Sequence, residues 1–190
     1  EQLERKLAEL MRQTTTIAGP EPSTLSTRVI ADASGAFVRS ALLDAGRDNG
    51  IRLGHPVVTV DGLVGRIVEV GRRTATVLLV TDVNARVPVA VGRNGVRAVM
   101  TGDTGAQPRL AFLGDGSIDE GDLVTTSGVG GLYPRGLRVG SVVRAGGAWR
   151  VVPASRLDDL GYVRVLLYDS ETLQLAGERA GALPPPPPRD

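Results

Sequence analysis

Hydrophobic and polar positions alternate in short runs along the middle of the chain. In RVPVAV, Val87, Val89 and Val91 fall on one face while Arg86, Pro88 and Ala90 take the other, the two-residue period of a strand with one side buried. Pro88 has no N–H to give a ladder, which predicts an edge position for this strand. In YVRVLLY, Val163, Val165 and Leu167 line one face. VVTV (Val57 to Val60) and LVGRIVEV (Leu63 to Val70) are separated by Asp61-Gly62 alone. That spacing predicts a hairpin with a type I′ turn, whose two central residues both need positive φ. Asn94-Gly95 turns RVPVAV into VRAVM, LVTT (Leu123 to Thr126) and RVGSVVR (Arg138 to Arg144) follow, and Gly146-Gly147 before AWRVV marks another hairpin.

Short strands with turns every eight to twelve residues or so predict an all-β sandwich or barrel, and no helical stretch is available for the crossovers of a parallel α/β sheet. Gly65 and Gly140 interrupt strand patterns, as expected where a small barrel bends over its corner. The expected architecture is two small six-stranded β-barrels preceded by a short N-terminal coiled-coil helix. The first barrel is placed at 28–82 and the second at 83–160, with Gly161 to Tyr168 able to return and complete the first.

The two ends read differently. In EQLERKLAELM, Leu3, Leu7 and Leu10 are spaced by four and then three, a heptad seam that predicts dimerisation; a short amphipathic helix packed on its own domain is the alternative. This helix is placed at 1–16, and Pro20 and Pro22 open a linker over 17–27. The segment 169–190 includes five consecutive prolines, Pro184 to Pro188, and reads as a solvated, disordered tail without assigned function. The chain opens at Glu1 in the middle of a helical pattern, so it reads as a piece of a longer protein with any anchor upstream.

Composition narrows the chemistry. Glycine (25) and proline (12) demand frequent turns, while 42% hydrophobic residues suffice for a core. Twenty-two basic and 21 acidic residues give a net charge of +1, and the basic side chains are scattered, so nucleic acid is not an expected ligand. All of them but Lys6 are arginine, which removes lysine-based mechanisms. Without cysteine there is no disulfide, thiolate metal site or thiol nucleophile. The longest uncharged run, Leu123 to Pro134, has 12 residues, short of the roughly 18 needed to span a bilayer.

The most enzyme-like stretch is TTSGVGGLYPRG. Ser127 there, with His55 and several Asp residues before it, gives the His…Asp…Ser order of a hydrolase. His55 is the sole imidazole and sits at Gly54-His55-Pro56 with no signature around it, so catalysis is not expected. The glycines of the stretch fit no phosphate-binding pattern. Asp44, Asp48, Asp61, Asp82 and Asp122 lie at strand ends, where carboxylates accept loop N–H groups; no metal spacing and no cofactor signature emerge. What remains is a binding surface. Leu132, Tyr133 and Pro134 in one loop, and Trp149 after a Gly-Gly turn, are candidate apolar anchors for a partner. The competing assignment makes each a plug for a barrel end.

Three runs in order, LLDAGRDNGIRLGHPVVTVDGLVGRIVEVGRRTATVLLVTD (Leu42 to Asp82), RVPVAV, and GDLVTTSGVGGLYPRGLRVGSVV (Gly121 to Val143), resemble the rod shape-determining MreC family over roughly Arg28 to Tyr168. The resemblance implies a single-pass membrane-anchored protein, with a transmembrane helix upstream of this chain, a dimerising coiled coil and two small barrels on the extracytoplasmic, periplasmic side of the inner membrane. It implies a non-catalytic scaffold of the elongasome that links MreB and MreD to RodA and a class B penicillin-binding protein, activates peptidoglycan synthesis, and self-associates as a dimer or filament. Asn49-Gly50, Tyr133 and Ser34-Gly35 depart from the family's usual Asp-Gly, Phe and Ser-Pro while keeping turn or aromatic character. A glycan- or small-molecule-binding β-module, and more remotely a serine hydrolase, are the alternative functions.

Overall fold

The computed structural model describes residues 22–34, 38–111 and 114–169. The Leu3, Leu7, Leu10 seam and the tail beyond Asp169 lie outside them. Twelve strands are formed: β1 (Thr24–Ser34), β2 (Arg39–Leu43), β3 (Pro56–Val58), β4 (Leu63–Val70), β5 (Ala75–Leu79), β6 (Arg86–Val91), β7 (Val96–Thr101), β8 (Arg109–Ala111), β9 (Leu123–Thr126), β10 (Arg138–Ala145), β11 (Ala148–Pro153) and β12 (Tyr162–Leu166). Helix among these residues is limited to two 3₁₀ turns, Arg47–Asn49 and Val129–Gly131. β1 begins at Thr24, inside the stretch read as linker.

The strands close into two six-stranded barrels, β1-β12-β3-β4-β5-β2 and β10-β11-β8-β7-β6-β9. β12 therefore returns across the whole second barrel to pair with β1 (Thr24 opposite Leu166) and β3 (Val57 opposite Val165). The two pairing schemes are the same scheme. β7 to β11 repeat the neighbour relations of β1 to β5, and β6, lying between β7 and β9, takes the place that β12 holds between β1 and β3. The likeness extends to irregularities: the register slips between β3 and β4 beside Val64, and between β9 and β10 beside Val139. Both bulged valines are buried and each precedes a strand glycine, Gly65 or Gly140.

Each barrel is filled by alternate valines, as the two-residue period requires. Val57, Val64, Val77, Val163 and Val165 lie in the first core; Val87, Val89, Val91, Val124 and Val142 lie in the second. Val58, Leu63, Val80 and Leu166 come from the first barrel's strands and their ends but bury in the second barrel's cluster, so apolar packing is continuous between the barrels. Polar contacts add to it. Thr59 Oγ1 and Ser155 Oγ are 2.7 Å apart, and Ser155 Oγ donates to Gly62 O (2.8 Å). Asp82, fully buried, accepts the backbone N–H groups of Arg39 and Asn84, both at 2.7 Å. The Arg39 guanidinium reaches across to Thr104 O (2.8 Å).

Two expectations are corrected. Pro88 is not on an edge, because β6 pairs with β7 on one side and β9 on the other. Its carbonyl accepts from Ser127 N–H just beyond the last β9 pair, so its N–H-less nitrogen faces the point where β9 leaves the ladder and no strand hydrogen bond is lost. The Asp61-Gly62 hairpin forms, but not with a type I′ turn, since neither residue has positive φ. The loop is Thr59 to Gly62, closed by Thr59 N–H donating to Gly62 O (2.8 Å). Gly62 is needed for a different reason: a Cβ there would lie 2.6 Å from the carbonyl oxygen of Arg138 in the second barrel. Gly146 and Gly147, at φ 58° and 74°, supply the two positive-φ residues of the β10–β11 turn.

Candidate docking site

The four candidate anchors do not form one surface. Tyr133 is 3% exposed and packs in the second barrel's core, the placement expected of a side chain that fills a barrel end. Burial pushes its phenol up to about 12, with the Arg66 charge opposing. The loop that inserts it is pinned by Thr126, whose hydroxyl donates to Pro134 O (2.6 Å) and accepts from Leu137 N–H (2.9 Å). Leu132 is half-buried against the same core, and Pro134 lines a groove on the outside. Trp149 lies apart at the start of β11, half-buried, with the Arg144 guanidinium 5.1 Å from its ring centroid, a cation–π contact that covers one face.

The hydrolase pieces lie in separate barrels. His55 is 2% exposed at the start of β3; its Nδ1 accepts from Arg52 N–H (3.2 Å), which directs the Nε2 proton to Asp169 Oδ1 (3.3 Å). Ser127 Oγ, after β9, accepts from Val129 N–H (3.3 Å), and the His–Ser hydrogen bond of a triad is not made. Among the strand-end carboxylates, Asp82 and Asp122 accept loop N–H groups as expected, while Asp44 and Asp48 pair with Arg28 and Arg72. No group of three or more His, Cys, Asp or Glu among the described residues is placed to hold a metal.

A groove of about 710 Å³ runs along the seam of the barrels. Its floor is the apolar joint itself, Val58, Leu63 and Leu166. The Thr59 to Gly62 loop stands on one side, with Val60 at its tip 88% exposed, and the Pro134 to Arg138 segment stands on the other. Arg135 and Arg138 from the Pro134 to Arg138 segment and Arg164 from β12 line it, against one carboxylate, Asp61. None of the three arginines is bonded to a carboxylate among the described residues. Sequence reasoning missed this site because its parts meet only when β12 returns beside β3.

A second opening, about 260 Å³, lies between β1 and the Leu157 to Leu160 segment and carries Asp32, Asp158 and Asp159. Both barrels are closed, and closure removes the free edges that β-augmentation by a partner would use. Chemically, the groove offers exposed apolar surface at Val60 and positive charge that is unpaired among the described residues, a combination suited to recognition.

Comparison with known proteins follows the fold. The family model for the barrel core of rod shape-determining protein MreC matches residues 29–167. The cell shape-determining protein MreC of Caulobacter vibrioides (strain NA1000 / CB15N) is 46% identical over 163 residues, covering 83% of this chain and 47% of that protein. The chain thus spans about half the length of that relative. MreC from Pseudomonas aeruginosa superposes with a TM-score of 0.69 at 33% identity, over 76% of this chain and 99% of that one. The chain from a complex between penicillin-binding protein PBP2 and MreC from Helicobacter pylori superposes with a TM-score of 0.56 at 17% identity, over 76% of this chain and 99% of that one, a likeness of fold.

Proposed function

This chain belongs to the rod shape-determining protein MreC family, and from that membership we propose that it is an extracytoplasmic scaffold that maintains cell shape by binding and activating a peptidoglycan synthase. The observation that carries the reading is the family match over residues 29–167, which takes in both barrels. A class B penicillin-binding protein is the first partner, in keeping with the PBP2 complex of the Helicobacter pylori relative. RodA, MreB and MreD complete the assembly, and the whole protein is held at the periplasmic face of the inner membrane by a helix upstream of this chain. Self-association runs through the Leu3, Leu7 and Leu10 seam. The protein makes and breaks no bonds in this role, a reading supported by the separation of Ser127 from His55.

The test is direct binding of the purified chain to the extracytoplasmic region of its cognate penicillin-binding protein, measured by biolayer interferometry, beside sedimentation with insoluble sacculi. Saturable binding to the synthase with the chain left in the supernatant of the sacculi is expected. Sedimentation with sacculi and no synthase binding would replace the scaffold with a glycan-binding module. A fluorophosphonate adduct on Ser127 would overturn the non-catalytic role.

A further inference from the structure

We infer that the groove along the seam is a docking site for an extended peptide segment that alternates acidic and apolar side chains. Charge selects this occupant. Arg135, Arg138 and Arg164 face the groove with a single opposing carboxylate, Asp61, and no ion pair among the described residues neutralises them. An unpaired guanidinium beside an apolar floor binds a carboxylate in fork geometry, and its charge steers the encounter. Apolarity selects the rest. Val60, 88% exposed, extends into solvent from the loop tip, and half-buried Pro134, Leu137 and Tyr168 line the groove above the buried joint of Val58, Leu63 and Leu166.

Arg135 and Arg138 come from the loop into β10 and its first residue, and Arg164 comes from β12, so positive charge is contributed by both barrels. Positive charge beside an apolar surface suits an extended chain, whose side chains alternate so that acidic and apolar residues take opposite faces. The volume of about 710 Å³ lies within the roughly 300–1,000 Å³ of clefts that enclose a compact ligand, here a short stretch of the peptide. The site lies where the two barrels join, so an occupant bridges them. This inference rests on the reading of the chain as a docking module and adds the place and the chemistry.

The test uses the full 190-residue chain and a fluorescein-labelled, capped peptide alternating Glu with Val, followed by fluorescence anisotropy at low salt. A Lys-for-Glu peptide and vesicles rich in phosphatidylglycerol serve as comparison probes. Binding of the acidic peptide alone, weakened at least tenfold by Arg135→Glu with Arg164→Glu and several-fold by Val60→Asp, is expected, with affinity falling as salt rises. The exposed Arg73→Glu, outside the groove, should leave it unchanged. Circular dichroism confirms folding, and Val60→Asp, at a fully solvated tip, keeps the test informative if the arginine variants misfold. No peptide binding, binding indifferent to the groove variants, or vesicle binding in place of peptide binding would overturn the inference. If the synthase binds and the groove variants leave that binding intact while the peptide fails, the groove falls and the scaffold stands. Peptide binding without synthase binding gives the reverse.

Discussion

Gly65 and Gly140 occupy equivalent positions in the two barrels: each follows a buried, bulged valine, and a Cβ on either would meet a carbonyl oxygen of the next strand, Leu78 O at 1.9 Å or Val152 O at 2.0 Å. In both cases the obstacle is backbone, which cannot swing aside as a side chain can. The register slips at this point in both eight-residue strands, β4 and β10, as a bulge that bends a strand requires.

Gly65→Ala and Gly140→Ala should therefore each cost roughly 2–4 kcal/mol, by forced displacement of a paired strand. Gly50→Ala is the control. A Cβ at Gly50 meets nothing within 4 Å, but its φ is 84°, so the cost should be only about 1–2 kcal/mol of backbone strain. Chemical denaturation of the three variants separates steric from conformational glycine.

The turns give a prediction of opposite sign. Gly146→Asn keeps a residue that tolerates positive φ while restricting the unfolded chain, and should stabilise by about 0.5 kcal/mol. Gly62→Asn looks equally harmless from its Asp-Gly context, yet it should destabilise, because its Cβ would press on Arg138 O from 2.6 Å. Paired melting curves decide both.

Tyr133 makes stability fall in alkali. Its folded pKa, raised to about 12 by burial, lies above the ordinary phenol value near 10. The neutral form is favoured in the fold, so its contribution is complete below about pH 10 and is lost as pH climbs from there through about 12. Unfolding free energies followed across that range should drop more steeply in the parent than in Tyr133→Phe.

Asp103 acts in acid. Burial pushes its carboxyl up, but the Arg150 hydrogen bond (2.8 Å), the Gly105 N–H and the charges of Arg150 and Arg109 outweigh this and hold it below the ordinary value. A depressed carboxylate contributes above its unfolded pKa near 4 and loses that contribution as pH falls through the lower, folded one. Asp103→Asn should be the less stable protein at neutral pH, and the gap to the parent should close in acid.

Much of the fold was legible because a two-residue period survives any topology. β4 and β6 run over the predicted residues, Leu63 to Val70 and Arg86 to Val91, since a buried valine face needs no knowledge of its neighbour. Pro88 and Asp61-Gly62 were misread for one shared reason. Local rules assign proline to an edge and Asp-Gly to a mirror-image turn, whereas here a departing β9 and an approaching Arg138 carbonyl decide. The site was the least legible part. Tyr133 lies in a loop by sequence, which fits an anchor and a plug equally, and only the inward fold of that loop on Thr126 shows it buried. The groove joins Val60, Arg135 and Arg164, which no sequence pattern relates.

The return of β12 means that the first barrel's ring cannot close until nearly all of the described chain has been made. As the ribosome releases the chain, β6 to β11 emerge together and are complete at Pro153, while β1 to β5, though made earlier, lack the staple between β1 and β3 until Leu166 has appeared. The later-made cylinder can therefore mature first, and the earlier one waits half-open for its last segment. Once that segment locks in, the point where the chain enters and the point where it leaves lie side by side on neighbouring strands, Thr24 opposite Leu166. Tension applied between those two points would load that single seam and leave the inserted cylinder unstretched.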